Sequence, residues 1–269
     1  MRGFSLWARN GLIALACAGV FANAAFAEPV KTGVIGRDDR KPMDSWQEPW
    51  NAVGKIYTPG FSRIGECTGT LIDPAIVVTA AHCLYNPRSA KPINASKIHF
   101  LAGFRREKFI SHSVGRCVRF SPGYRYRNRS AAANALNDYA FIVLKNPINT
   151  PVVSFYDQDK IGNEDRLVHA GYGKDRRYLL SVHSGCSAYF GKDKFLANDC
   201  DSVAGQSGGP VLVKKGKKHY IAAVMNGRTT LQILKHKVRL NFATSILRHR
   251  HNFKEIKNCG LEASLRHGR

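Results

Sequence analysis

Short apolar runs, each closed by a turn signal, recur along almost the whole chain, and no long amphipathic helix alternates with them. "GTLID" turns at Asp73-Pro74 into "AIVVTAA", and "KIHFLAGF", "YAFIVL", "RLVHAGYG", "PVLV" and "YIAAVMNG" follow. Runs of this kind without βαβ alternation predict an all-β sandwich or a pair of barrels. One terminal helix is expected over about Thr244 to Lys257, where Thr244 can cap and Ile246, Leu247, Phe253 and Ile256 offer an apolar side. With 269 residues and 44% apolar content, the chain can bury a large core.

The first 27 residues read as something other than fold. Arg2 and Arg9 precede an apolar run from Gly11 to Phe21, and small residues close on Ala25-Phe26-Ala27. This is the pattern of a secretory signal peptide cleaved after Ala27, giving a mature start at Glu28 and a secreted or periplasmic destination. The apolar run is shorter than the ~20 residues of a spanning helix, and no membrane span is expected in the mature chain. Export changes what the cysteines mean. Cys67, Cys83, Cys117, Cys186, Cys200 and Cys259 remain after the leader, which suggests three disulfides, of a connectivity that spacing does not choose. No Cys-x-x-Cys pair occurs, so no metal site is expected.

The net charge of +22 is high for an exported protein, and the basic residues cluster in "FRREKFISHSVGRCVRFSPGYRYRNR", "KKGKK" and "LRHRHNFKEIK". Such a field attracts an anionic surface or an acidic protein. Nucleic acid is not an expected partner, because no recognition helix, zinc finger or aromatic RNA-binding signature accompanies the charge.

Chemistry concentrates at "CDSVAGQSGGPV", residues 200 to 211. Glycines on both sides of Ser207 permit turns that a Cβ forbids and let another backbone come close. A serine hydroxyl is a weak nucleophile, so it needs a base and the base needs an orienting group. His82 ends the apolar run of "VVTAAHCL" and Asp138 enters that of "NDYAFIVL". Each of the three stands at the mouth of an expected strand.

With these residues in view, the chain resembles the chymotrypsin-fold serine proteases, in the bacterial branch that includes the glutamyl endopeptidases. "TGTLIDPAIVVTAAHC", "NDYAFIVL" and "GQSGGPV" stand where that family carries its His, Asp and Ser motifs, and "VIGRDDRKPM" from Val34 resembles the branch's mature N-terminus. The resemblance implies two packed six-stranded antiparallel β-barrels, about residues 34–155 and 156–257, the second with the terminal helix, inside a protease domain over 28–269. It implies a serine endopeptidase acting on polypeptides through an acyl-enzyme without a cofactor. Ser207 would be the nucleophile, His82 the base and Asp138 the orienting carboxylate, with the N–H groups of Gly205 and Ser207 as oxyanion hole. Cys67 would pair with Cys83 and Cys186 with Cys200, leaving Cys117 for Cys259. A silent homologue that binds an anionic envelope component is the alternative.

The departures bear on activation and specificity. Animal relatives carry Asp immediately before the nucleophile, paired with a freed N-terminus; Gln206 cannot form that ion pair. Asp201 stands where trypsin-like members hold the carboxylate at the base of the substrate pocket, which implies a preference for Lys or Arg. Ser202 matches their next residue, and Asn226 and Gly227 are expected in the pocket wall. Val224 stands where the glutamyl branch carries a histidine, which argues against glutamate.

Overall fold

The computed structural model describes residues 31–58, 66–128, 132–162, 164–192, 195–233, 236–251 and 253–259. The expected leader, its expected cleavage site and Glu28 lie outside these residues. Among the described residues no helix is long and apolar enough to cross a membrane.

Among the described residues, thirteen strands carry the fold. Strand β1 is Lys41–Met43. Strands β2 (Val53–Tyr57), β3 (Cys67–Asp73), β4 (Ile76–Thr79), β5 (His99–Ala102), β6 (Ser111–Phe120) and β7 (Ala140–Leu144) close an antiparallel barrel in the order β2-β3-β4-β7-β6-β5. Strands β8 (Arg166–Gly171), β9 (Leu180–Lys192), β10 (Phe195–Asn198), β11 (Pro210–Lys215), β12 (Lys218–Ile233) and β13 (His236–Ser245) form the second sheet. A β8–β9 pairing returns that sheet upon itself through β10, β13, β12 and β11, and β1 is added to the outside of β9. The expected all-β pair of six-stranded barrels is present, with one difference: β1, from the segment expected to serve the first barrel, joins the second.

Local chemistry accounts for the tight connections. Asp73 Oδ1 accepts the N–H of Ala75 at 2.9 Å, an aspartate turn that sends β3 into β4. Gly216, at φ +60°, turns β11 into β12. "KKGKK" is therefore a hairpin tip, and Lys214, Lys215, Lys217 and Lys218 are all solvent-exposed there. Both barrels have apolar cores. Leu71, Ile76, Val77, Phe100 and Ile142 fill the first, and Leu167, Val211, Val213, Ala223 and Met225 lie in the second. All three disulfides form as the resemblance implied, Cys67–Cys83, Cys117–Cys259 and Cys186–Cys200.

The terminal helix is shorter than expected. Thr244 caps nothing, because it pairs with Val224 in the β12–β13 ladder and its hydroxyl lies 2.7 Å from the carbonyl of Ala135. A 3₁₀ turn, Leu247–His249, and a short α-helix, Phe253–Lys257, follow. Ladder bonding to β12 wins over the local apolar spacing, as tertiary pairing commonly does for short segments.

Candidate functional site

His82 sits in the one-turn helix Ala81–Leu84 that follows β4, and the disulfide from Cys83 to Cys67 ties this turn to β3. Asp138 enters β7 and is buried at 8% exposure. Its two carboxylate oxygens divide their work: Oδ2 lies 2.7 Å from His82 Nδ1, and Oδ1 accepts the His82 backbone N–H at 2.8 Å. Bonded twice to one residue, the carboxylate fixes both the place and the rotation of the imidazole. It also selects the tautomer, since an ionised carboxylate can only accept and Nδ1 must then carry the proton. Nε2 is left with its lone pair.

Ser207 arrives from the other barrel, in the loop between β10 and β11, and lines one cavity together with His82 and Gly205. Its hydroxyl is 3.5 Å from the carbonyl of Asn226. The glycines around Ser207 are required sterically. Gly205 and Gly208 have φ of +98° and +83°, and a Cβ at Gly208 would stand 2.1 Å from Thr79 Oγ1 and 2.3 Å from the carbonyl of Thr68.

Peptide planarity then decides where the N–H groups point. The carbonyl of Ala204 accepts from Lys174 N at 2.8 Å, so the Gly205 N–H in the same trans peptide points the opposite way. The carbonyl of Gln206 accepts from Gly209 N at 3.0 Å, which turns the Ser207 N–H away in the same manner. Among the described residues no acceptor within the chain engages either N–H, whereas those of Gln206, Gly208 and Gly209 are all bonded. Two free donors beside a serine hydroxyl suit a developing oxyanion.

Thr68, on β3, locks this loop to the first barrel and was missed in the sequence. Its N–H donates to the carbonyl of Ser207 at 2.9 Å and its hydroxyl to that of Gly205 at 3.2 Å. Asn226 was expected in the pocket wall. It does border a second cavity, which Ser207 also lines, but its side chain turns inward, donating Nδ2 to the carbonyl of Asp138 and facing the Thr244 hydroxyl with Oδ1 at 2.8 Å. Ser202 and Gly227 line the same cavity, of about 380 Å³, which Ser207 shares.

Asp201 requires a correction. It is fully buried and does not line the cavity; Oδ1 accepts from Ile35 N and Oδ2 from Asp39 N, each at 2.8 Å. His183 Nδ1 stands 2.9 Å from the Asp201 N–H and 3.3 Å from its Oδ2, able to accept from the first when neutral and to face the second when protonated. The spacing from Ser207 was as expected, but the carboxylate faces the chain's own segment 33–40, whose N–H groups consume both oxygens. The cavity instead has Lys31, Lys174 and Arg228 in its wall, with Asp175 the one acid. Val224 is buried in the sheet and does not reach it.

Segment 33–40 is also held by charge. Arg40, with a fully buried side chain, donates to Asp38 at 2.8 and 2.9 Å and to Asp175 at 2.7 Å. Stripping such a cation of its partners costs about 3–5 kcal/mol. Arg40 bonds hold Asp38 well below the ordinary carboxylate range. Burial alone would raise Asp175 and Asp201, but Arg40 for the first, and His183 with the two N–H groups for the second, outweigh it and lower both. A carboxylate depressed in the folded state stabilises above its unfolded pKa, and that stability is lost as pH falls through the folded value. The segment is therefore expected to stay docked down to about pH 4 and to release progressively below it. Amide hydrogen exchange at Ile35 and Asp39 across pH 2 to 6 measures this; protection that does not change with pH would contradict it.

The trypsin family model matches residues 35–233. A glutamyl endopeptidase of Bacillus licheniformis is 30% identical over 192 residues, covering 69% of this chain and 56% of the relative. Chymotrypsin-C of Rattus norvegicus is 40% identical over 70 residues, 26% of this chain and 25% of that one. The matched region thus spans about half of the first relative and a quarter of the second. Among solved structures, a Glu endopeptidase in complex with MPD superposes with TM-score 0.65 at 21% identity, covering 82% of this chain and 97% of the other. The chain belongs to the trypsin family, the serine proteases of the chymotrypsin fold.

Proposed function

We propose that the chain is an exported serine endopeptidase that cleaves peptide bonds through an acyl-enzyme, with Ser207, His82 and Asp138 as its triad. The observation that carries this reading is the double engagement of His82 by Asp138 beside a serine whose flanking N–H groups are left without acceptors. Ser207 Oγ attacks the carbonyl carbon while Nε2 of His82 takes its proton. The carbonyl electron pair moves onto oxygen, where the Gly205 and Ser207 N–H groups stabilise it. Collapse expels the amine, which takes the proton back from Nε2. Water, activated by the same nitrogen, then releases the acid and the free serine.

The basic cavity wall supports an acidic P1 side chain, in place of the Lys or Arg that the position of Asp201 suggested. The chain's own N-terminal segment stands in for such a substrate. The Gly33 carbonyl accepts from Ser202 N at 2.9 Å and from Asn241 Nδ2 at 2.8 Å, two donors whose residues line the cavity, and Lys31 and Thr32 border it as well. Cleavage before Val34 would withdraw that carbonyl and offer both donors to a carboxylate.

The test of the core reading is intact-mass measurement before and after a fluorophosphonate probe, with Ser207→Ala alongside. One adduct on the wild type and none on the variant is expected. A folded, oxidised wild type, trimmed to Val34, that takes no adduct would overturn the reading and favour a binding protein.

A further inference from the structure

Arg40 holds more than its two carboxylates. Nη1, which also reaches Asp175 Oδ1 at 3.4 Å, donates to Oε1 of the buried Gln206 at 3.0 Å. Gln206 lies between Gly205 and Ser207, the two residues whose N–H groups meet no acceptor among the described residues. A guanidinium only donates, so it dictates which end of the amide faces it. The same Oε1 accepts from Val203 N at 3.0 Å, and Nε2 donates to the carbonyl of Gly171 at 3.1 Å. Both ends of the Gln206 amide are thus engaged, and the turn 203–206 is pinned through a side chain whose direction a cation sets. Asp38 and Asp175 already neutralise that cation, so the bond to Gln206 is additional to charge compensation.

We infer that Arg40 is a positioning residue for the reaction: through Gln206 Oε1 it holds the loop 203–207 in the form that aims the Gly205 and Ser207 N–H groups at one point. This rests on the triad reading above. It also gives that loop an internal cation, delivered by segment 33–40 and needing no chain end. The reverse dependence follows from the same bonds. Whatever undocks the segment removes Arg40 from Gln206 and should disorder the donors before it disturbs His82 and Asp138.

The experiment compares the protein trimmed to Val34 with its Arg40→Met variant. If the inference holds, Arg40→Met lowers kcat by about 100-fold, the scale of a lost oxyanion donor, with KM changed less than about threefold. Added guanidinium ion should restore about tenfold of that loss, and the downfield proton resonance of the His82 Nδ1–Asp138 bond should persist. A folded Arg40→Met with wild-type kcat overturns the inference. So does a loss that guanidinium leaves untouched while the His82 resonance disappears, because the defect would then be general. Should Arg40→Met not fold, Gln206→Glu and Gln206→Met decide. Glu keeps the acceptor for Arg40 and Met removes it, so Glu should retain a kcat at least about tenfold above that of Met, and equal values refute the role. A wild type that neither turns over substrate nor takes the serine probe would instead sink the triad reading.

Discussion

Asp138→Asn is expected to lower kcat by about 10⁴-fold at neutral pH while leaving KM nearly unchanged, the scale seen when a triad carboxylate becomes an amide. The geometry gives the reason. Oδ1 of residue 138 accepts the His82 backbone N–H at 2.8 Å, and an asparagine retains that bond only by keeping its oxygen there. The amide nitrogen then takes the place of Oδ2, 2.7 Å from Nδ1. Two donors cannot face each other, so Nδ1 gives up its proton and Nε2 takes one. An Nε2–H cannot accept from Ser207, and the nucleophile loses its base without any change of shape. Stopped-flow and steady-state rates on a fluorogenic peptide, with a thermal melt of both proteins, measure this. A fall of only about tenfold would mean that His82 is oriented by something other than Asp138.

The same residues show how far sequence reading reaches. Ser207, His82 and Asp138 stood out as candidates because each ends or begins a short apolar run, and the glycines around Ser207 announce a backbone that only glycine can follow. Strands β4, β7 and β11 were legible for the same reason, being almost continuously apolar where a barrel buries them. Strand β6, "SHSVGRCVRF", was hidden inside a stretch read as basic surface, because its serines, histidine and arginines break the apolar run. Asp201 failed differently. Its spacing from Ser207 was right, but which way the carboxylate faces depends on N–H groups 162 and 166 residues away. Thr68 and Arg40 reach residues 137 and 166 positions distant, and nothing local marks either as more than a strand threonine and a surface arginine. A buried arginine among "DDRK" is visible in hindsight as a cation with carboxylates on its own side, though not as one that also touches Gln206.

The cavity wall makes the second large effect a matter of charge. The chain trimmed to Val34 is expected to cleave after Glu or Asp with kcat/KM about 100-fold above that after Lys or Arg. Lys174 and Arg228 form no ion pair among the described residues, and each, at the edge of a partly desolvated cavity, contributes on the order of tenfold to the difference. Asp175 offsets little of this, because Arg40 already holds it at 2.7 Å. A panel of peptides differing only at P1 reads the preference, and Arg228→Gln should lower the acidic rate by about tenfold while sparing an alanine P1. The preference should also weaken with ionic strength, since both cations are solvent-exposed. A chain still carrying Lys31 to Gly33 should bind the same acidic peptide more weakly, because the Gly33 carbonyl occupies the Ser202 and Asn241 donors. A preference for Lys or Arg in the trimmed protein would mean that a carboxylate enters the cavity after all. Asp175, the one acid in its wall, would have to leave Arg40 to supply it, and Arg40 would then stand buried with Asp38 alone.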